Sequence, residues 1–372
     1  MRRQRQQRGF TLIELMVGSV VTFVTVLAVS AAFLGYTQSF YTQAGIRGGQ
    51  ASLRQTHQML VRNLRMAGYG IDPPNAFAFP TGWADDASRN RSDRLVFRMR
   101  DPAFNAYVES ITDTSLTLPS ASPLTERLRK GQILQVMCPG GVGWTYVQLS
   151  AEAAVGDTAL ALVAGNGKFP NLNDFSPTCF GTAAGGRSVL LFKIDVYDYS
   201  VQLIDDDSDA STPGRPYLFR RHGLDEKSPE ALGEPVAEDI EALRVTFLRA
   251  DGTEFTPNPA DPAPGYRTPL NDPSRASNNP ANIRAVRIGL VARSSTRDAG
   301  SGPGKMNQIP AFGGRPKLNG PHGFRRTLSE MSVQIRNMRS SQMPVPVYSL
   351  DRTPSGGCDG VVPSDDRVCA GG

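Results

Sequence analysis

Residues 9–33 read GFTLIELMVGSVVTFVTVLAVSAAF, and their single charged side chain is Glu14. A helix rises about 1.5 Å per residue, so roughly 24 apolar residues are enough to cross the ~30 Å hydrocarbon layer of a bilayer. The preceding residues, Met1 to Arg8, include four arginines. Because basic residues stay on the cytoplasmic side of a membrane helix, the sequence predicts a transmembrane helix over residues 10–34 with its arginines inside the cell.

The boundary in front of the apolar run is sharper than any boundary behind it. A secretory signal peptide is cut after its apolar core, next to small residues, whereas here one glycine separates the arginines from the core. The string Gly9-Phe10-Thr11-Leu12-Ile13-Glu14 resembles the processing site of type IV prepilins and type II secretion pseudopilins. The resemblance implies that residues 1–9 are a leader cut after Gly9 and that Phe10 becomes the N-methylated mature N-terminus. It also implies that Glu14 meets the terminal amine of a neighbouring subunit.

The position of Glu14 favours a pairing role on physical grounds as well. A carboxylate inside a membrane helix costs roughly 2.5–3.5 kcal/mol on insertion scales, so it usually faces a partner or a polar path. The alternative is an interfacial acid whose side chain reaches the membrane edge at little cost. We expect Glu14 to take part in subunit assembly.

Length and composition are those of a globular protein that carries a membrane segment. The chain has 372 residues and 40% hydrophobic content, enough for one large or two modest domains. Its formal charge of +5 falls to +1 when the four leader arginines are removed. The other charges are mixed in sign and form no basic stripe interleaved with aromatic residues, so no nucleic-acid partner is expected.

The helix is predicted to continue past the membrane as an amphipathic segment over residues 35–68, which contains no proline. Four residues recur at a spacing of four, three and four: Leu53, His57, Leu60 and Leu64. That spacing places them on one face, which we expect to pack on a sheet. The helix should end near Met66, because Gly68, Gly70 and Pro73 follow.

From Arg94 onward the pattern changes to short β-branched or aromatic runs separated by turn residues. Predicted strands cover residues 95–99, 107–111, 115–118, 132–137, 145–149, 160–163, 188–199, 217–221, 242–248, 285–292 and 332–335. Several alternate polar with apolar residues, as half-solvated antiparallel strands do. The predicted fold class is therefore α+β, with a long N-terminal helix packed on a mainly antiparallel β-rich head over residues 69–340. Residues 94–180 are a possible β subdomain, and residues 341–372 are a cysteine-containing tail.

Four cysteines, Cys138, Cys179, Cys358 and Cys369, are consistent with an oxidising compartment. A bridge between Cys358 and Cys369 would restrain a tail that has no apolar core of its own, and Cys138 with Cys179 is the natural remaining pair. Three connectivities are possible, and free buried thiols are the alternative. No Cys-x-x-Cys pair occurs, which argues against zinc-ribbon and thioredoxin-like sites.

Catalytic and cofactor signatures are lacking in the sequence. Its three histidines are scattered, and no Gly-x-Ser-x-Gly elbow marks a hydrolase. Asp205, Asp207 and Asp209 have the spacing of the first calcium-loop ligands, but Ala210 and Pro216 replace the turn glycine and the bidentate glutamate. A solvated acidic turn is the better interpretation, and we expect no enzyme activity, no cofactor and no metal site.

Within the prepilin group the chain resembles the PilW type of minor pilin. The resemblance rests on Met66-Ala-Gly-Tyr-Gly-Ile-Asp-Pro73, on residues 240–247 and 283–293, on Arg325-Arg326 and on residues 333–337, and it does not extend into the tail. It implies a structural subunit that helps to initiate type IV pilus assembly at or near the pilus tip, in support of adhesion and twitching motility. Implied partners are a prepilin peptidase, other minor pilins, the major pilin and a large tip adhesin. The implied location is the bacterial inner membrane, crossed once with the head in the periplasm, and then the extracellular pilus.

Two other functions fit parts of the pattern. A type II secretion pseudopilin is built from the same segments and differs in pushing substrates through an outer-membrane pore. A membrane-anchored periplasmic enzyme or binding module would use the apolar helix only as an anchor, and the intact string from Gly9 to Glu14 argues against it.

Overall fold

The computed structural model describes residues 11–80, 92–138, 143–175, 180, 189–205, 214–223, 233–249, 252–255, 283–295, 297, 308–311, 317–320 and 323–339. Its first element is a single helix, α1 (Leu12–Leu64), which includes the predicted transmembrane segment from Leu12 onward. The helix ends two residues before the predicted Met66. Gly68 and Gly70 follow with φ of 75° and 67°, a conformation that glycine adopts without steric cost.

The head is built from short strands, as the sequence pattern predicts. Within the described ranges the strands are β1 (Phe77–Ala78), β2 (Leu95–Arg100), β3 (Ala106–Val108), β4 (Ser110–Ile111), β5 (Ser115–Thr117), β6 (Ile133–Met137), β7 (Trp144–Gln148), β8 (Ala159–Ala161), β9 (Val189–Ile204), β10 (Arg215–His222), β11 (Gly233–Glu238), β12 (Ile240–Leu248), β13 (Glu254–Phe255), β14 (Ala285–Arg293), β15 (Gln308–Ile309), β16 (Leu318–Asn319) and β17 (Arg326–Gln334). A helix followed by this β-rich head confirms the predicted α+β class.

The largest sheet, here called the central sheet, is organised around β9. In the described part of the chain it has eight strands. Their order is β1-β2-β9-β10-β11, with β3 and β6 paired to the first half of β9 and β7 paired to β6. Every pairing is antiparallel. The sixteen residues of β9 are long enough to pair with β3 and β6 near its start and with β2 and β10 near its end.

A second sheet, here called the helix-bearing sheet, has the antiparallel order β13-β12-β14-β17. The described residues also form a three-stranded sheet, β4-β5-β8, and a hairpin, β15-β16. A bulge between Ile240 and Ala242 interrupts the pairing of β12 with β14, directly after Asp239, whose φ is 59°. The bulge turns the side chain of Glu241 out of the regular alternation of the strand.

The C-terminal half of α1 lies across the junction of these two sheets. It contacts β11, β14 and β17, and the predicted apolar stripe is buried there at Leu53, Leu60 and Leu64. The Asn63 side-chain amide also donates to the Tyr199 hydroxyl of β9 at 2.7 Å. These contacts confirm the prediction that the stripe packs on a sheet.

Hydrophobic side chains gather in two main clusters. The first joins α1 to both sheets and includes Leu60, Phe97 and Ile288. The second is drawn from residues 104–162 together with Val189 and Leu191 of β9. Because β9 contributes to both clusters, it connects the segment 94–180 directly to the rest of the head.

Several strands differ from the sequence prediction. The two-residue strands β1, β13, β15 and β16 were not predicted, and two longer strands at sheet edges also differ. β17 begins at Arg326, six residues before the predicted start, and β11 was not predicted. β11 contains Gly233 and Pro235, which weaken a strand signal, but proline is tolerated on an edge strand, where an N–H group can be lost without breaking a ladder. Edge strands are solvated along one side, so their sequences carry less of the apolar pattern on which the prediction depends.

Candidate assembly site

The N-terminus of α1 is closed by a reciprocal cap between Thr11 and Glu14. The Thr11 hydroxyl accepts the Glu14 N–H at 3.3 Å, and Glu14 Oε2 accepts the Thr11 N–H at 3.1 Å and the Thr11 hydroxyl at 3.0 Å. This capping box satisfies helix N–H groups that have no intrahelical partner. The sequence interpretation assigned no cap role to Thr11, although the Thr-x-x-Glu spacing is a direct signal for one. The cap uses only residues that follow the expected cleavage point, so removal of the leader leaves it intact.

The first half of α1 exposes an apolar surface along its whole length. Its large apolar side chains are exposed: Leu12, Ile13, Leu15, Met16, Val17, Val20, Val21, Phe23, Val24, Val26, Leu27, Val29, Phe33 and Leu34. An apolar surface of this extent on a soluble protein marks contact with a membrane or with another protein. By length and composition α1 is the one described helix that could cross a membrane, and none of its most apolar window is buried in the protein.

Hydroxyl groups within this half of the helix are satisfied by the helix itself. Ser19, Thr22 and Thr25 donate to the carbonyl oxygens of Met16, Gly18 and Val21 at 2.8 Å each, and Thr37 donates to the Phe33 oxygen at 2.6 Å. Without water, each polar group needs an internal partner. None of these four hydroxyl groups therefore needs a water molecule as its hydrogen-bond acceptor.

A buried hydrogen-bond network fixes the chain that leaves α1 to the central sheet. The Tyr146 hydroxyl donates to the Asp72 carboxylate and accepts the Asp72 N–H at 3.1 Å and the Gln135 amide at 3.0 Å. Arg100 donates to Gln135 Oε1 at 2.6 Å and to the Gly70 carbonyl at 3.0 Å. Burial, followed by the charge of Asp72, raises the pKa of Tyr146 well above its ordinary value, so the hydroxyl keeps its proton. The helix end is thus held rigidly on the head.

An ion cluster joins the two sheets beneath α1. Arg215 of β10 donates to both carboxylate oxygens of Asp239 at 3.0 and 2.7 Å, and Arg293 of β14 lies 3.8 Å from the same carboxylate. Arg326 of β17 forms two hydrogen bonds with Glu241, at 2.5 and 2.9 Å, and both side chains are buried. Forked Arg–carboxylate pairs have a defined geometry, so the cluster fixes the relative position of the strands that carry α1.

The structure describes some of the predicted site residues. Glu14 lies in the cap at the exposed N-terminus of α1, and Cys138 is buried beyond the end of β6. Gly9, Phe10, Cys179, Cys358 and Cys369 lie outside the described residues, as do Asp207 and Asp209. His222 ends β10, where its Nε2 lies 3.1 Å from Asp195 Oδ2. Among the described residues no group of His, Cys, Asp or Glu side chains is arranged to hold a metal ion.

His57, at the margin of the stripe, should make stability depend on pH. Its Nδ1 lies 3.2 Å from the Ser329 hydroxyl, and its Nε2 is buried with no hydrogen-bond partner in the described structure. Burial lowers the pKa of His57 below its ordinary value. The unfolded chain therefore binds the proton more tightly, and folding stability should fall as the pH drops below about 6.5. Denaturation of the wild type and of His57→Gln at pH 7.5 and 5.5 checks this, and equal acid losses in the two proteins would contradict it.

We expect Cys138 to be bonded to Cys179, and Cys358 to Cys369. Cys138 is fully buried, and a bridge across residues 138–179 would close a loop at the end of β6. Peptide mapping of non-reduced protein checks the pairing. A peptide that links Cys138 to either tail cysteine, or four free thiols, would show that the prediction is wrong.

Comparisons with known proteins agree with this arrangement. Residues 4–30 match the family model described as the prokaryotic N-terminal methylation motif, and residues 203–337 match the model described as type IV pilus-assembly protein W. Among solved structures, the chain is similar to a type IV-like pilin from Thermus thermophilus, with 13% sequence identity and a TM-score of 0.28. The alignment covers 78% of this chain and 97% of the pilin. That score is too low for the likeness to add to the description of the fold.

A search of curated proteins found no match. The matched segment 203–337 includes β10, β12, β14 and β17, and therefore the ion cluster and the surface on which α1 packs. Neither matching model describes an enzyme family. The chain thus joins a segment that matches the N-terminal methylation motif to a head segment that matches the type IV pilus-assembly protein W model, and its resemblance to PilW-type minor pilins is confirmed.

Proposed function

We propose that this protein is a minor pilin that helps to initiate type IV pilus assembly and sits at or near the pilus tip, where it supports adhesion and motility. One observation carries the proposal. A single continuous helix is fully exposed over its apolar first half and packed on the head over its second half. Such a helix needs apolar surroundings, which in this proposal are a membrane before assembly and a bundle of other helices afterwards.

The proposed mechanism follows from this exposure. Before assembly the apolar half of α1 resides in the inner membrane, with the head in the periplasm and the leader removed by a prepilin peptidase. On extraction into the filament, lipid contacts are exchanged for contacts with other helices, so the net change in free energy is small. Glu14 sets the axial position of the subunit by pairing with the terminal amine of a neighbour, which compensates a carboxylate that is costly in lipid.

The size of the head supports a position at the tip. The described part of the head already contains an eight-stranded and a four-stranded sheet. A head of this size would crowd a regularly repeating shaft. A rare subunit that contacts other minor pilins, the major pilin below and a large adhesin above fits these dimensions better. Antibody to the head should label filament ends, and uniform labelling along the shaft would contradict the tip position.

The test of function is complementation of a strain that lacks this chain. We expect wild type to restore pili sheared from the cell surface and Glu14→Ala to lower their amount by at least about tenfold, the effect of losing about 1.4 kcal/mol of pairing. The matched control is Glu109→Ala, which removes an exposed acid from the head. Membrane levels of each variant are measured in parallel, because a subunit that fails to insert would also lower the pilus yield.

The same strains separate the pilus from a secretion system. The processing string also resembles that of type II secretion pseudopilins, so exoprotein release is assayed beside the pili. Normal pili together with exoproteins retained in the periplasm would overturn the pilus proposal in favour of a pseudopilin.

A further inference from the structure

Three exposed aromatic side chains, here called the aromatic patch, lie on α1 beyond the apolar segment. They are Tyr36, Phe40 and Tyr41, which are 73%, 59% and 65% exposed. Tyr36 and Phe40 are four residues apart and are therefore neighbours on one face of the helix. The Phe40 ring meets the Tyr41 ring edge-on, with 6.1 Å between the ring centroids. A group of large apolar rings on a protein surface marks contact with a membrane or with another protein.

The aromatic patch is separate from the surface through which α1 packs on the head. A Cβ atom at Gly49 would lie 3.5 Å from the Arg293 carbonyl oxygen, so α1 touches β14 there. The Ser52 hydroxyl donates to a carbonyl oxygen of β11 at 3.0 Å. Gly49 follows Tyr41 by eight residues, or about 12 Å along the helix. These contacts with the head therefore leave the patch uncovered.

The part of α1 that carries the patch belongs to a long uncharged stretch. Residues 15–46 contain no Asp, Glu, Lys, Arg or His. At about 1.5 Å per residue this stretch is about 48 Å long, and an average helix tilt of about 20° leaves about 45 Å along the membrane normal. The hydrocarbon core of a bilayer is only about 30 Å thick, whereas core and headgroup layers together measure about 40–45 Å. The uncharged stretch thus matches the whole bilayer.

The composition of the uncharged stretch changes where the hydrocarbon core should end. Counted from Glu14, twenty residues or about 30 Å of helix reach Leu34. Residues 15–34 are predominantly apolar, whereas residues 35–46 read GYTQSFYTQAGI and mix aromatic, hydroxyl and amide side chains. Tyrosine is enriched at membrane–water interfaces, because its ring is apolar and its hydroxyl group can meet water or a headgroup. The second part therefore has the composition of an interfacial segment.

We propose that Tyr36, Phe40 and Tyr41 bind the phospholipid headgroup layer on the periplasmic side of the inner membrane and fix the depth of the unassembled subunit. This inference rests on the proposed function, in which the apolar half of α1 resides in that membrane before assembly. The patch continues the exposed apolar surface with no charged residue in between, which favours lipid over a protein partner. Arg47, the next charged residue, then lies on the water side of the layer.

The experiment adds one tryptophan to α1 of the full chain, reconstituted at low density in vesicles of phosphatidylethanolamine and phosphatidylglycerol. Its fluorescence is quenched by nitroxide labels at the lipid headgroup, by labels deep in the acyl chains, or by iodide in the water. Phe40→Trp should be quenched at least about twofold more by the headgroup label than by the other two. Val24→Trp should respond to the deep label and Gln50→Trp to iodide. The unmodified chain, with Trp83 and Trp144, gives the baseline.

The three variants separate this inference from the proposed function. If Phe40→Trp is quenched by iodide as strongly as Gln50→Trp while Val24→Trp still responds to the deep label, the inference is overturned and the membrane stage of the proposed function stands. If Val24→Trp responds to no lipid label, both are overturned. Shielding of Phe40→Trp from every quencher that develops only as the protein density rises would also overturn the inference, because the patch would then contact a second copy.

A further set of variants tests whether the patch fixes the depth of the helix. Tyr36→Ala, Phe40→Ala and Tyr41→Ala are combined with Val24→Trp, and the ratio of deep to headgroup quenching is measured again. We expect this ratio to shift, because the helix loses its interfacial anchor. Gln43→Ala, which removes an exposed amide from the same segment, is the matched control and should leave the ratio unchanged. An unchanged ratio in the triple alanine variant would overturn the depth-fixing role.

Discussion

Replacing Glu241 by alanine should lower the free energy of unfolding by about 3–5 kcal/mol, the usual effect of removing one partner of a buried ion pair. Glu241 is 1% exposed and holds Arg326 through two hydrogen bonds between β12 and β17. Its loss would leave the buried Arg326 guanidinium close to another arginine, Arg293, whose pKa is already lowered by burial and by the Arg326 charge. Urea denaturation of the detergent-solubilised chain, followed by tryptophan fluorescence, measures the change.

The control for this prediction is an ion pair of the same chemistry in an exposed position. Glu234 pairs with Arg220 between β10 and β11, and Glu234 is more than half exposed. Glu234→Ala should change stability by no more than about 1 kcal/mol, the usual upper range for surface pairs. Equal losses in Glu234→Ala and Glu241→Ala would show that the ion cluster does not hold the sheets together.

Leu60→Ala should destabilise the protein by about 2–5 kcal/mol, because it leaves a cavity where α1 meets both sheets. Leu60 has no exposed surface and belongs to the cluster that joins the helix to the head. Gln58 lies on the exposed face of the same turn, and Gln58→Ala should change stability by less than about 0.5 kcal/mol. Denaturation of the two variants tests the claim that the second half of α1 is part of the head core. A loss below 1 kcal/mol for Leu60→Ala would contradict that claim.

The sequence predicted those elements whose pattern is set by local burial. The stripe of Leu53, Leu60 and Leu64 marks a helix packed on one side, and the runs at β9, β12 and β14 mark strands between neighbours. In both cases the buried residues recur with the period of the secondary structure, about 3.6 residues in a helix and two in a strand. The pattern is therefore readable without knowledge of the partner element.

Features that depend on residues far apart in the chain were not predicted. Glu241 and Arg326 are separated by 85 positions, and Asp72 and Tyr146 by 74. Nothing in the neighbourhood of either residue indicates its partner, because the pairing follows from the order of strands in a sheet. The edge strands β11 and β17 were missed or shortened because their outer sides face no neighbour in the described structure.

The candidate assembly site was more accessible to sequence reasoning than the head. Its residues are consecutive, from Gly9 to Glu14, so the processing string is complete in one stretch. The structure adds that Thr11 and Glu14 cap the helix directly after the expected cleavage point. Glu14 thus has two successive partners in the proposal, Thr11 within its own chain and a terminal amine in the filament.

The most direct test of the account is the N-terminal sequence and mass of the membrane-extracted protein, made with and without a prepilin peptidase. The account predicts a mature chain that begins with N-methylated Phe10 when the peptidase is present and an intact Met1 when it is absent. A chain that keeps residues 1–9 in both cases would contradict the account, because α1 would then be a permanent anchor and could not deliver the head to a pilus.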